Sequence, residues 1–246
     1  MDLSLPERRI VRVRHDLQLR EVQVVSAQPL GNGFIGVTFG GDSLVNFVSL
    51  SFDDHVKFMF PGPEGERVMR DYTPTRYDAA RRELTLEFAL HAQGAASDWA
   101  RQAQPGQRVT LGGPKGSMII PVDYDWHLLA GDASALPSIH RRVQELPATT
   151  RAIVLVQVDS DTDIRPLHSA AALQVQWVHD EVTWLAALHA LKLPAGQGFA
   201  WCAGEARVMA QARTALLEHH ALSRTQLRVA AYWKRGAADF HERLEG

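Results

Sequence analysis

The stretch "WHLLAGDASALPSIHRRVQEL", Trp126 to Leu146, is where the chain changes its period. Trp126 to Asp132 is an apolar run of strand length closed by a glycine and an acid, and Ala135 to Leu146 reads as a helix. Downstream the alternation repeats. "RAIVLVQVDS" is a buried strand, "LQVQWVHD" another, "EVTWLAALHAL" a helix, "GFAWCAGE" (Gly198 to Glu205) a strand, "ARVMAQARTALLEHH" a long helix and "QLRVAAYW" a last strand. Strands alternating with helices imply right-handed crossovers and a parallel sheet covered on both faces.

Upstream the pattern is different. "LREVQVVSAQPL" and "FIGVTFGG" flank Gly31-Asn32-Gly33, which supplies a turn. "HVKFMFP" (His55 to Pro61), "RDYTPTRYD" (Arg70 to Asp78), "ELTLEFALH" (Glu83 to His91) and "QRVTLGGP" (Gln107 to Pro114) add short strands, with one helix at about 96–104. Short strands punctuated by Gly and Pro predict a small antiparallel barrel. The expected architecture is therefore a β-barrel domain over residues 1–122 and an α/β domain over 123–246, joined near Pro121 to Asp125. The crevice outside the strand ends of such a sheet is where a dinucleotide binds.

Bulk properties exclude several classes. A net charge of −2 over 246 residues gives no field that would draw the chain to nucleic acid or an anionic membrane. A single cysteine, Cys202, precludes an internal disulfide and fits a reducing compartment. No run approaches a membrane span, and "MDLSLPERRIVRVRHDLQLREV" lacks an apolar core of signal-peptide length. A cytoplasmic monomer is expected. The histidines are scattered and no metal site is expected; the pair His219-His220 lies at a helix end, where a cation suits the dipole. Trp177, Trp184 and Trp201 read as packing residues, and Cys202 as a small buried one.

The chemistry concentrates in "RDYT", Arg70 to Thr73. On a strand Arg70 and Tyr72 share one face. A guanidinium fork suits a diphosphate, a phenol ring suits a flat heterocycle, and Thr73 adds a hydrogen bond. Gly94-Ala95-Ala96-Ser97 is small enough for a phosphate to approach the backbone, with Ser97 or a neighbour opening a helix.

These segments occur in order with His91 and Trp99, "GPKGS" at 113–117, "LLAGDASALPSI" at 128–139, "WCAGEARVM" at 201–209 and "YWKRG" at 232–236. Together they resemble the siderophore-interacting proteins, FAD-containing ferric-siderophore reductases of the ferredoxin-reductase superfamily. "RDYTPxxYD" and "DDHVKFMFP" look closest to the NADPH-dependent ferric-chelate reductase branch. The resemblance implies that Arg70 binds FAD phosphate, Tyr72 contacts the flavin and Thr73 bonds near its N5, and that Asp71 of the same motif is a cofactor-binding residue as well. It implies that His91, Gly94, Ala95, Ala96 and Ser97 cradle the rest of the cofactor. Asp132 and Ser134 match a segment near the FAD and nucleotide crevice, and Trp233 the flavin end of the sheet; a position with an acid in many members holds Ala133 here.

The resemblance also implies that Lys57 and Lys115 bind an anionic ferric siderophore, a role that Lys234 and Arg235 extend. Such a chelate already surrounds iron with hard oxygen ligands, so no protein ligand to the metal is needed. The flavin carries the chemistry and no side chain is expected to act as general acid or base. There is no GxGxxG, and the donor is NADPH or NADH. Asp159, Asp161 and Asp163 would favour ribose hydroxyls and Arg165 an extra phosphate, while the branch resemblance favours NADPH. Two alternatives remain: a general ferredoxin- or flavin-type reductase, and a non-catalytic ferric-siderophore carrier.

Overall fold

Two sheets built on different principles divide the chain, and a computed structural model describes residues 10–62, 64–90 and 94–237 of it. A short ribbon pairs β1 (Val11–Arg14) with a later strand, β9 (Gly116–Ile119). Between them run β2 (Leu19–Pro29), β3 (Phe34–Gly40), β4 (Val56–Pro61), β5 (Arg67–Tyr72), β6 (Pro74–Asp78), β7 (Glu83–Ala89) and β8 (Arg108–Gly112). These seven form one antiparallel sheet in the order β5-β4-β8-β2-β3-β7-β6. The two edges are consecutive in sequence and separated only by Thr73. Chain continuity thus brings the edges together at that residue and curls the sheet into a half-barrel. Its interior holds Val22, Val37, Phe39, Phe58, Leu84, Leu86, Phe88 and Leu111, all buried. The helix α1 (Ala95–Arg101) plugs it, Trp99 lying 4.7 Å from the Phe58 ring.

The second sheet is parallel, in the order β12-β11-β10-β13-β14. It comprises β10 (Trp126–Gly131), β11 (Arg151–Gln157), β12 (Ala172–Val178), β13 (Gly198–Glu205) and β14 (Leu227–Trp233). Helix α2 (Leu136–Glu145) follows β10, α3 (Glu181–Ala190) follows β12, and α4 (Ala206–Thr214) follows β13 and runs on as a π turn, Ala215–His219. Trp184 and Leu188 of α3 and Val208 and Met209 of α4 pack on one sheet face with Leu128, Leu155 and Cys202. On the other face Leu136, Ile139 and Val143 of α2 pack with Leu129, Val154 and Trp201, and Phe34, Phe52 and Ile120 join this cluster from the first half. Burying a side chain of that size contributes about 2 kcal/mol, so the shared apolar cluster binds the two halves into one unit.

The expected barrel-then-sheet order holds, with three differences. Arg70 to Asp78 is two strands and not one, because Thr73 leaves the sheet and Pro74, which has no N–H to give a ladder, starts the next strand. The β1–β9 ribbon was not expected. His219 and His220 meet the carbonyls of His189 and Leu188 at the end of α3, tying two helices together beyond any dipole effect.

Candidate functional site

Because Thr73 is the single residue between two sheet edges, its side chain faces out of the half-barrel toward α2. Its hydroxyl lies 2.9 Å from that of Ser138, which in turn lies 3.3 Å from the Tyr232 phenol on β14. Thr73 and Ser138 are buried, and burial together with the nearby Asp53 carboxylate pushes the Tyr232 phenol upward, so it stays protonated. Three neutral hydroxyls from three elements therefore meet where the two sheets touch.

Immediately before Thr73, register fixes two faces. Arg70 stands opposite Phe58 and Tyr72 opposite Val56, whereas Asp71 stands opposite Lys57. The expected sharing of a face by Arg70 and Tyr72 is observed. Tyr72 packs 4.2 Å from the Phe88 ring, and burial raises its phenol against the lowering effect of Arg70. The Arg70 guanidinium reaches the Met69 carbonyl at 2.8 Å. Asp71 is on the other face, with its carboxylate 2.9 Å from the Lys57 ammonium.

At the carboxyl ends of β10 and β13 the chain turns tightly. A Cβ on Gly131 would sit 2.1 Å from the Ala203 carbonyl oxygen, and one on Gly204 2.5 Å from Asp132 Oδ2. Glycine is therefore dictated at the point where the sheet order reverses, the usual crevice of such sheets. Asp132 organises it. Its Oδ1 accepts from the Ser134 amide, and its Oδ2 accepts from the Glu205 amide at 2.9 Å and the Trp233 indole at 2.8 Å. Burial nonetheless lifts its carboxyl above the ordinary range, with these bonds opposing. Glu205 caps α4 by accepting from the Arg207 and Val208 amides. Arg235 donates its amide to Glu205 and pairs with Glu181, so this cation is committed to the sheet domain.

The remaining expected residues fall as follows. His91 lies outside the described residues. Gly94 precedes α1, but Ser97 sits inside the helix and donates to the Ala89 carbonyl, so it is a tie to β7 and not a cap. Gly94 is extended, and a Cβ there would meet only Ser97 Oγ at an ordinary 3.6 Å. Lys115 is exposed in the turn after Gly112, the residue paired with Lys57. Lys234 is exposed just beyond β14. Arg165 is not available as a phosphate grip: it pairs at 2.7 Å with the buried Glu87 of β7 and stacks over Phe34. Asp163 is buried against Gly33, and Asp161 pairs with His179, leaving the loop after β11 acidic. Cys202 is fully buried, and burial raises its thiol to about 12, which fits packing and not chemistry.

Sequence reasoning gave no individual role to Ser138, Tyr232, Asp53 or Arg228, although the first three lie in segments that carry the family resemblance. Asp53 is buried; it accepts from the Trp201 indole at 3.2 Å and lies 2.6 Å from Arg228 Nε. That last contact is an ion pair whose angles are not those of a hydrogen bond. The available signal was two adjacent acids, Asp53-Asp54, in an otherwise apolar segment, and a serine on the buried face of α2.

Comparison with known proteins adds to this geometry. Residues 63–118 match the family model described as a siderophore-interacting FAD-binding domain, and residues 124–236 the model described as siderophore-interacting protein. The chain is 34% identical over 244 residues to the NADPH-dependent ferric-chelate reductase of Escherichia coli K12, covering 90% of this chain and 95% of that one. It is 27% identical to the ferric vibriobactin reductase ViuB of Vibrio cholerae over 91% of this chain and 93% of that one. The crystal structure of a siderophore utilization protein from T. fusca superposes with a TM-score of 0.89 at 30% identity, covering 94% and 98% of the two chains.

Proposed function

Since the chain belongs to the siderophore-interacting protein family, we propose that it is an FAD-dependent reductase of ferric siderophores or similar ferric chelates, taking electrons from NADPH in preference to NADH and releasing Fe(II). The observation that carries this reading is the position of Arg70–Thr73, at the open seam of the half-barrel and against the sheet domain. FAD, when bound, lets a two-electron donor serve a one-electron acceptor.

The residues present fit that group. Arg70 would hold the diphosphate, Tyr72 would pack on the ring system, and the Thr73 hydroxyl, now satisfied by Ser138, would turn to the ring edge. Among the described residues a Cβ at 94 would meet only Ser97 Oγ, which leaves room for close approach of a phosphate; Ala95, Ala96 and Ser97 keep the turn small, and His91 would complete the cradle. Asp132, Ser134 and Trp233, joined by hydrogen bonds, would line the crevice between the flavin and the nucleotide, with Trp233 at the flavin end. Lys57 and Lys115 would receive the chelate, a role that Lys234 just beyond β14 would extend and for which Arg235 would have to leave Glu181. No residue needs to ligate iron, because the chelate supplies the oxygens. With Arg165 held by Glu87, the NADPH preference rests on the Escherichia coli relative. We place the domain boundary at residues 122 and 123, and expect a monomer working in the cytoplasm; no described helix is long and apolar enough to cross a membrane.

The test is anaerobic. FAD-loaded protein is mixed with each nucleotide, flavin bleaching is followed, and ferric chelates are added with an Fe(II) trap. Faster bleaching by NADPH, then reoxidation with trapped Fe(II), is the expected result. Bleaching without Fe(II) would move the acceptor to a protein or free flavin, and a chain that takes up no FAD would be a carrier.

A further inference from the structure

The "RDYT" segment reads as one functional unit, but its strand splits it. Arg70 and Tyr72 share the face of Phe58 and Val56, and Asp71 shares the opposite face with Lys57. Both carboxylate oxygens lie 2.9 Å from the Lys57 ammonium, and the two side chains are about a quarter exposed, 26% and 24%. The surrounding face is unlike an ordinary charged surface. Leu19, opposite Gly112 on that face, and Met69, one step from Asp71, are exposed apolar side chains. Farther along, Arg67 and Arg108 border a cleft of about 260 Å³ that also involves Met59, Pro61 and Thr110, with Glu66 as its acid. Apolar area edged by cations suits a ligand with flat organic arms and negative charge.

We infer that Asp71 is a positioning residue, which holds the Lys57 ammonium against the sheet and so moderates the grip of this face on strongly anionic ferric chelates, which must draw the ammonium away to bind it. The inference rests on the ferric-chelate reading above. A carboxylate in contact with an ammonium cancels its field at a distance, so a weakly charged or cationic chelate gains nothing from Lys57. A highly anionic chelate gains enough to draw the ammonium away, because a quarter-exposed ion pair is held only modestly. Asp71 in this view never touches the flavin; it acts through Lys57.

The experiment is a calorimetric titration of FAD-loaded protein with redox-inert Ga(III) chelates of equal shape class and different charge: a triscatecholate, which is strongly anionic, and a cationic trihydroxamate. Asp71→Asn is expected to tighten the triscatecholate about tenfold, less so at high salt, and to leave the trihydroxamate within about twofold. The gain is expected to disappear when Lys57→Gln is added, since the ammonium that Asp71 holds is then gone. FAD content and the unfolding midpoint certify each protein, and Asp71→Ser replaces Asp71→Asn if the latter does not fold. Unchanged or weaker triscatecholate binding, equal tightening of both chelates, or a gain that survives Lys57→Gln would overturn the inference. Failure of the reductase reading shows separately, as absence of Fe(II) from the wild-type protein, and leaves the titration readable.

Discussion

Besides the hydrogen bonds of Arg141 to Ser49 and the Pro74 carbonyl, two kinds of polar contact join the two sheets, and their contrast bears on where the candidate site lies. At two points the contact is ionic and buried: Asp53 with Arg228 and Trp201, and Glu87 with Arg165 and His140. Between Thr73, Ser138 and Tyr232 it is neutral, three hydroxyls of which two are buried. A buried ion that loses its partner is strongly penalised, whereas a hydroxyl exchanges one partner for another at small cost. Charged contacts therefore fix how the domains sit, and the hydroxyl chain is the part of the seam that a ligand can rearrange.

The largest effect should come from breaking an ionic contact. Asp53→Ala leaves Arg228 and the Trp201 indole facing a void, and about 3 kcal/mol of stability should be lost, read as a lower denaturant midpoint at unchanged slope. A loss below about 1 kcal/mol would place Asp53 with ordinary surface pairs and erase the distinction.

Glu87 tests the same idea through pH. Burial alone would raise its carboxyl, but interaction with His140, 3.6 Å away, and the charge and hydrogen bond of Arg165 outweigh burial and hold it below its ordinary value of 4.5. Its folded value is depressed, so its stabilisation is complete above the unfolded value and is lost as pH falls toward the folded one. Glu87→Gln should cost about 2 kcal/mol at neutral pH, and the gap from wild type should narrow as pH falls below the unfolded value. A pH-independent gap would mean that the Arg165 contact matters by shape alone.

How much of this was legible beforehand depended on whether the cause was local. β13 was read with both ends correct because an apolar run between Gly198 and Glu205, buried throughout, has one solution. The Arg70–Tyr72 shared face followed from strand period. The break at Thr73 did not, because it exists only when the two sheet edges meet, a closure no window of sequence contains. Arg165 looked like a phosphate grip because it follows a strand in the α/β half; its partner, Glu87, is 78 residues earlier in the other half. Asp71 and Lys57 were both noticed and never paired, since register between β4 and β5 is needed to oppose them. Ser138, quoted only within "LLAGDASALPSI", was given no role for the same reason: a serine in a helix becomes part of a site only through what faces it.

The smallest structural effect is the one that bears most on function. Ser138→Ala removes the hydroxyl that both Thr73 and Tyr232 approach and leaves those two with each other. If the centre of the seam is exchangeable, stability should fall by no more than about 1 kcal/mol. Thr73, released from its partner, should then be freer to bond elsewhere. The absorption spectrum of bound FAD, sensitive to hydrogen bonding at the ring edge, should shift, and flavin bleaching by NADPH should change severalfold while FAD affinity holds. Tyr232→Phe, which leaves the 2.9 Å contact of Thr73 with Ser138 in place, should give the same signs at lower amplitude. A graded pair of spectral shifts with small stability losses is the signature of an adaptable centre. A loss from Ser138→Ala as large as that from Asp53→Ala would instead make the hydroxyls a third clamp, and the seam would have no part left for a ligand to move.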